Sequence, residues 1–223
     1  MKYRLPLAAL STALGVMISF SSFAEGQDAA AQKQASKPDL AKAQQTANQV
    51  CAACHGADGN SASPANPSIA GQHAEYTTLQ LMHFQSGIRA NAVMQAMTAS
   101  LTPEDMRALG IFFSQQKTKP SAAKDKELVA AGQKIYRGGN AASGVPACAA
   151  CHSPDGVGVP ARYPRVGGQF SDYTLAQLKA FKAGGRGVDK EGKDINGKVM
   201  AEIASRMSDR EMQAVAEYAS GLR

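Results

Sequence analysis

Apolar positions recur at helical rather than alternating spacing along most of this chain. From Glu75 to Phe84 the apolar side chains of Tyr76, Leu79, Leu81 and Phe84 recur at helical spacing, and Asp172 to Phe181 repeats the pattern. Asp39 to Val50 and Asp125 to Arg137 are rich in good helix formers and predict helices. Thr102-Pro103-Glu104-Asp105 offers an N-cap, a proline at the first helical position and acids in the first turn. Ser208-Asp209-Arg210-Glu211 offers an N-cap with a glutamate three residues on. Loops rich in Gly and Pro separate these elements, and no alternating strand stands out. The expected fold class is all-α.

The pattern is written twice. A shift of 97 residues aligns Cys51-Ala52-Ala53-Cys54-His55 with Cys148-Ala149-Ala150-Cys151-His152, Asp58-Gly59 with Asp155-Gly156, and Pro67 with Pro164. The same shift aligns Gly71-Gln72 with Gly168-Gln169, Tyr76-Thr77 with Tyr173-Thr174, Phe84 with Phe181 and Gly87 with Gly184. The second copy then gains nine residues, and a shift of 106 pairs Met94 with Met200, Met106 with Met212 and Phe112 with Tyr218. The chain is therefore a tandem duplication. Lys117-Thr118-Lys119-Pro120-Ser121 punctuates the junction, which places the two domains at 39–118 and 119–223.

The N-terminus changes the picture of where the protein works. Lys2 and Arg4 precede an apolar run from Leu5 to Phe20, and Ser22-Phe23-Ala24 closes it with small residues at the ends. This predicts an export signal over residues 1–24, cleaved after Ala24, with 25–38 as a flexible lead-in and the periplasm as destination. The run is too short and interrupted to favour a permanent span. The formal charge of +6 falls to +4 without Lys2 and Arg4. With no Lys/Arg run and no Trp, a nucleic-acid partner is not expected. The excess lies in the second copy: residues 25–119 hold seven basic and seven acidic side chains, residues 120–223 fifteen and eleven. Lys179, Lys182, Arg186, Lys190, Lys193 and Lys198 cluster around the insertion, as either a solvated loop or a dock for an acidic redox partner.

All four cysteines belong to the two Cys-x-x-Cys-His motifs. That motif is the attachment sequence for a c-type haem: two thiols add across the two vinyl groups, and the adjacent histidine faces the iron. Cys51, Cys54, Cys148 and Cys151 are thus expected to hold two covalently bound haem c groups, with His55 and His152 as iron ligands. A shared structural zinc would leave both histidines unexplained, a thioredoxin-like pair lacks its strand–helix context, and two disulfides fit the spacing poorly.

Each iron needs a second axial ligand unless it binds substrate. The remaining histidines, His73 and His83, lie in copy one and pair with Phe170 and Ala180, so both read as packing or surface residues. In copy two the candidates are Met200, Met207 and Met212. Met207 and Met212 fall in or beside the closing helix and read as core. Met94 and Met200 each lie eight residues before the N-cap of the closing helix, in what reads as a loop, and are the expected ligands. Met97 is the rival in copy one, but its repeat partner is Ile203. Thioether ligation raises the potential and fills the sixth position, which describes an electron carrier rather than an enzyme.

Both haem motifs resemble the cytochrome c4 family, together with Asn66-Pro67 and Tyr163-Pro164 leading into Gly-Gln, Arg137-Gly138-Gly139, and Pro146-Ala147-Cys148. The resemblance implies two class I cytochrome c domains with haem edges facing across a pseudo-twofold interface. It implies a periplasmic one-electron carrier in a respiratory chain, fed by a membrane-bound donor complex, working towards a terminal oxidase and associated peripherally with the inner membrane, with no small-molecule substrate. It also implies that the carbonyls of Pro67 and Pro164 accept hydrogen bonds from His55 and His152, and that Tyr76 and Tyr173 stand near the propionates; packing on a helix face explains the tyrosines equally well. Copy one departs from the pattern in its opening helix, where Ala43-Gln44-Gln45 stands against Ala131-Gly132-Gln133. The competing functions are a di-haem peroxidase-like enzyme, which would need one haem without its methionine, and a cytochrome subunit of a larger dehydrogenase or oxidase.

Overall fold

Ten helices and the loops between them make up the part of the chain that this computed structural model describes, residues 37–187, 192 and 194–223. The expected signal segment and all but the last two residues of the lead-in lie outside those residues, as do Lys190 and Lys193. Copy one runs through α1 (Leu40–Thr46), a π-helical turn (Ala47–Cys51), α2 (Ala52–His55), α3 (Ala74–Ser86), α4 (Ala92–Thr98) and α5 (Pro103–Ser114). Copy two contains α6 (Lys126–Gly138), α7 (Ala149–His152), α8 (Ser171–Lys182), α9 (Ile195–Ser205) and α10 (Asp209–Ser220). Among the described residues, extended pairing is limited to two isolated bridges, Asn140 with Val145 and Val159 with Tyr163.

The caps explain where the helices start. Asp39 accepts from the Lys42 N–H at 2.9 Å, and Asp125 from the Glu127 and Leu128 N–H groups. Thr102 with Asp105 and Ser208 with Glu211 form complete capping boxes on α5 and α10. Each copy closes by crossing its first helix over its last. In copy two Gly132 of α6 lies against α10, where a Cβ would stand 2.0 Å from the Ala214 carbonyl oxygen. Copy one, whose departure from the family pattern bears on this crossing, buries Ala43 and Ala47 against Ala108, Leu109 and Phe113 instead. Two small residues one helical turn apart do the work of the missing glycine.

The expected junction, Lys117 to Ser121, belongs to no helix and is tied on both sides. The Thr118 hydroxyl donates to the Ala70 carbonyl of copy one, and the Ser121 N–H to the Gly168 carbonyl of copy two. The two copies pack into one compact unit.

Candidate haem sites and the interface between them

In copy one the helix entering the motif does not stop before it. It widens into the π-helical turn that ends at Cys51, so Cys51, Cys54 and His55 lie on one continuous helical path. In copy two α6 ends at Gly138, a loop intervenes, and Cys148 caps the short helix carrying Cys151 and His152. Both motifs reach one cavity of about 1130 Å³. That exceeds the roughly 300–1,000 Å³ of an ordinary small-molecule pocket. All eight residues expected to hold iron or haem line it: Cys51, Cys54, His55 and Met94 from copy one, Cys148, Cys151, His152 and Met200 from copy two.

The histidines are presented in one orientation. His55 Nδ1 lies 2.8 Å from the Pro67 carbonyl oxygen, and His152 Nδ1 lies 3.0 Å from that of Pro164. A carbonyl can only accept, so each Nδ1 carries the proton and each Nε2 keeps a lone pair. Burial pushes both imidazoles below their ordinary range, partly offset by these hydrogen bonds. Burial pushes the Cys51 and Cys148 thiols up, each to about 11. All four cysteines are free. Neutral imidazoles beside unpaired thiols in an apolar cavity fit a covalently held haem with a histidine ligand, and fit a charged metal cluster poorly.

Two sequence readings of this region change. Met94 and Met200 are not in loops: Met94 sits in the first turn of α4, where Asn91 Oδ1 accepts its N–H at 2.9 Å, and Met200 sits in the middle of α9. The insertion lengthens the helix that carries Met200. Met207 and Met212 are core, at 2% and 0% exposure, and Met97 is 44% exposed while also lining the cavity. The second change concerns Arg186. It belongs to the basic segment in sequence, yet it is buried. Lys182, from the same segment, donates to the Met207 carbonyl at 2.7 Å, near the end of α9.

Arg186 is half of a symmetric pair that sequence reasoning missed. Its Nη2 donates to the Tyr76 hydroxyl of copy one at 2.8 Å, and its Nη1 to Gln177 Oε1 at 2.8 Å. Arg89 does the reverse, donating to the Tyr173 hydroxyl of copy two and to Gln80 Oε1, each at 2.8 Å. Each guanidinium also stacks 4.5 Å over a phenylalanine of its own copy, Phe84 or Phe181. Burial pushes the Tyr76 phenol up, but the charges of Arg186 and Arg89 outweigh it and bring it below its ordinary value. Both arginines line the cavity, where two cations suit the carboxylates of haem propionates. The shift of 97 also pairs Arg89 with Arg186 and Gln80 with Gln177, and that was the available signal. Neither His73 nor His83 lines the cavity; His83 is buried, with Nδ1 4.0 Å from Asp194 of copy two.

Comparison with known proteins agrees on both halves. Residues 129–222 match the family model "Cytochrome c", and residues 38–112 match "Cytochrome C oxidase, cbb3-type, subunit III". A cytochrome c4 from Thiocapsa roseopersicina is 42% identical over 200 residues, spanning 89% of this chain and 98% of that protein. A thiosulfate dehydrogenase electron acceptor from Stutzerimonas stutzeri (strain A1501) is 38% identical over 175 residues, spanning 77% and 78%. The crystal structure of reduced recombinant cytochrome c4 from Pseudomonas stutzeri superposes with a TM-score of 0.76 at 34% identity, covering 84% of this chain and 100% of that one.

Proposed function

The chain belongs to the cytochrome c4 family and carries two covalently bound haem c groups as an electron-transfer protein, and from that premise we propose that it is a periplasmic one-electron carrier of a respiratory chain. The bound haems supply the reversible ferric/ferrous couple. Cys51 and Cys54 would hold one by thioether bonds, with His55 and Met94 as the residues that would ligate its iron. Cys148 and Cys151 would hold the other, with His152 and Met200. The observation that carries this reading is the pair of histidines held by Pro67 and Pro164 in the lining of the same cavity as the two repeat-matched methionines. Pro67 and Pro164 engage each Nδ1, so that Nε2 is the nitrogen that would bind the iron. A methionine thioether ligand would favour the ferrous state and leave no position open for a substrate, which supports electron transfer over substrate chemistry.

The signal segment directs the chain to the periplasm, with cleavage after Ala24. There it accepts electrons from a membrane-bound donor complex and delivers them to a terminal oxidase, associated peripherally with the inner membrane. The relative named as a thiosulfate dehydrogenase electron acceptor favours a second reading of the donor, in which a periplasmic sulfur-compound dehydrogenase reduces this protein.

A redox titration of the purified holoprotein with optical and EPR readout tests the site assignment. Met94→Ala and Met200→Ala should each abolish the sulfur-to-iron absorption of one haem and lower that haem's potential. A loss caused by Met97→Ala instead of Met94→Ala would overturn the assignment in copy one. Comparing reduction rates by thiosulfate dehydrogenase and by a quinol-oxidising complex separates the two donors.

A further inference from the structure

The pairing of the two copies reaches the histidines themselves. Gln169 of copy two faces the backbone of Ser68 in copy one with both ends of its amide: Oε1 accepts the Ser68 N–H at 3.1 Å, and Nε2 donates to the Ser68 carbonyl at 2.8 Å. Gln72 does the same to Arg165 of copy two, accepting its N–H at 2.9 Å and donating to its carbonyl at 2.9 Å. Each Oε1 also accepts the N–H of its own next residue, His73 or Phe170, at 3.0 Å. Two N–H groups converging on one atom assign it as oxygen.

Ser68 and Arg165 are the residues directly after Pro67 and Pro164. The Ser68 N–H and the Pro67 carbonyl therefore belong to one planar peptide unit and cannot turn independently. Holding that N–H from outside aims the carbonyl that receives His55 Nδ1. The proline itself has no N–H to be held by. A continuous chain of hydrogen bonds thus runs from the His55 imidazole through the Pro67–Ser68 peptide to Gln169, and from His152 through Pro164–Arg165 to Gln72. Bonds in such a chain polarise one another.

We propose that Gln72 and Gln169 are positioning residues that act in trans, each orienting and polarising the axial histidine of the opposite copy. The proposal rests on His55 and His152 being the axial ligands. Removing the amide lets the peptide turn, weakens the bond to Nδ1, lowers the basicity of the imidazole and so raises the potential of that iron.

The experiment uses the full-length holoprotein. The His55 and His152 Nδ1–H resonances are assigned by NMR from their own residues, without reference to the methionines. Gln169→Ala should speed Nδ1–H exchange at His55 by about five- to tenfold, as expected for the weakening of one buried hydrogen bond. It should also raise the potential of the copy-one haem by up to about tenfold in the oxidised-to-reduced ratio, or about 59 mV. His152 and its haem should stay as they were. Gln72→Ala should give the mirror image. Gln169→Glu, which keeps the acceptor and loses the donor, should act on the same histidine more weakly. Faster exchange in the variant's own copy, in both copies equally or in neither would overturn the brace. Crossed exchange with unmoved potentials would overturn the axial assignment beneath it.

Discussion

In copy two, Gly132 of α6 lets the backbone close on Ala214, and Tyr136 one turn later fills the space beside Tyr218, ring to ring at 5.4 Å. In copy one the same crossing is built from Ala43 and Ala47, with Phe112 at the position of Tyr218. Where copy two uses a glycine and a tyrosine, copy one uses two alanines. The turn after each motif has diverged too: Gly56 holds φ +76° in copy one, and Ser153 holds φ +67° in copy two. The surfaces between the copies have not diverged in this way. Gln72 with Gln169, Gln80 with Gln177, Tyr76 with Tyr173 and Arg89 with Arg186 are identical pairs making mirrored hydrogen bonds. Inside one copy a volume lost at one position can be recovered at its neighbour. At the interface each side chain must meet a fixed acceptor on the other half, and no neighbour can substitute.

Gly132→Ala probes that contrast most strongly. Its Cβ would meet a backbone carbonyl at 2.0 Å, so α6 or α10 must move, at a cost of about 1–3 kcal/mol or more. Ala43→Gly in copy one should cost only about 0.5–1 kcal/mol through helix propensity. Thermal unfolding of the holoproteins compares them, and equal losses would show that the two crossings are not built differently. Next, Gly56→Ala combines a positive φ with a Cβ 2.3 Å from the Asn60 carbonyl oxygen and should cost about 1–3 kcal/mol. Ser153→Gly should be close to neutral, relieving the backbone while losing the Ser153 hydroxyl bond to the Gly158 carbonyl.

Tyr136→Phe removes the hydroxyl that donates to the Ser153 carbonyl at 2.8 Å and should cost about 1 kcal/mol. The buried Ala47 of the crossing in copy one has no hydroxyl to make such a bond. The smallest effect belongs to Lys119→Ala. The Lys119 ammonium and the Asn60 N–H hold the Asp58 carboxyl down at about 2, against an ordinary 3.8. A depressed carboxylate adds stability above its unfolded pKa and loses it as pH falls through the folded one, so the effect spans 3.8 down to about 2. Both groups are well exposed, and solvent screening keeps it below about 1 kcal/mol. Acid unfolding curves of wild type and variant should diverge above that window and converge below it.

What could be read from residues alone was what is decided within a few residues or by exact repetition. The caps at Thr102 and Ser208 work through bonds three residues long: both N-caps form where the sequence places them, the box expected at Ser208 with Glu211 is present, and Asp105 completes a second one at Thr102. Cys-x-x-Cys-His is a local pattern, and the shift of 97 exposed the duplication. The region of Met94 and Met200 is less legible: short helices with an Asn or Asp cap and loop-like neighbours depend on packing, so both positions read as loop in the sequence. Arg186 shows the limit most clearly. Among Lys179, Lys182 and Lys198 it reads as one more surface cation, but its hydrogen-bond partner Tyr76 is 110 residues away. Burial of a charge is decided by what the fold brings to it, and Tyr76, Gln80 and Gln177 reach Arg186 only when the two halves pack. The same holds for Gln72 and Gln169, whose repetition was visible in sequence while the backbone each one grips lies 93 or 101 residues away.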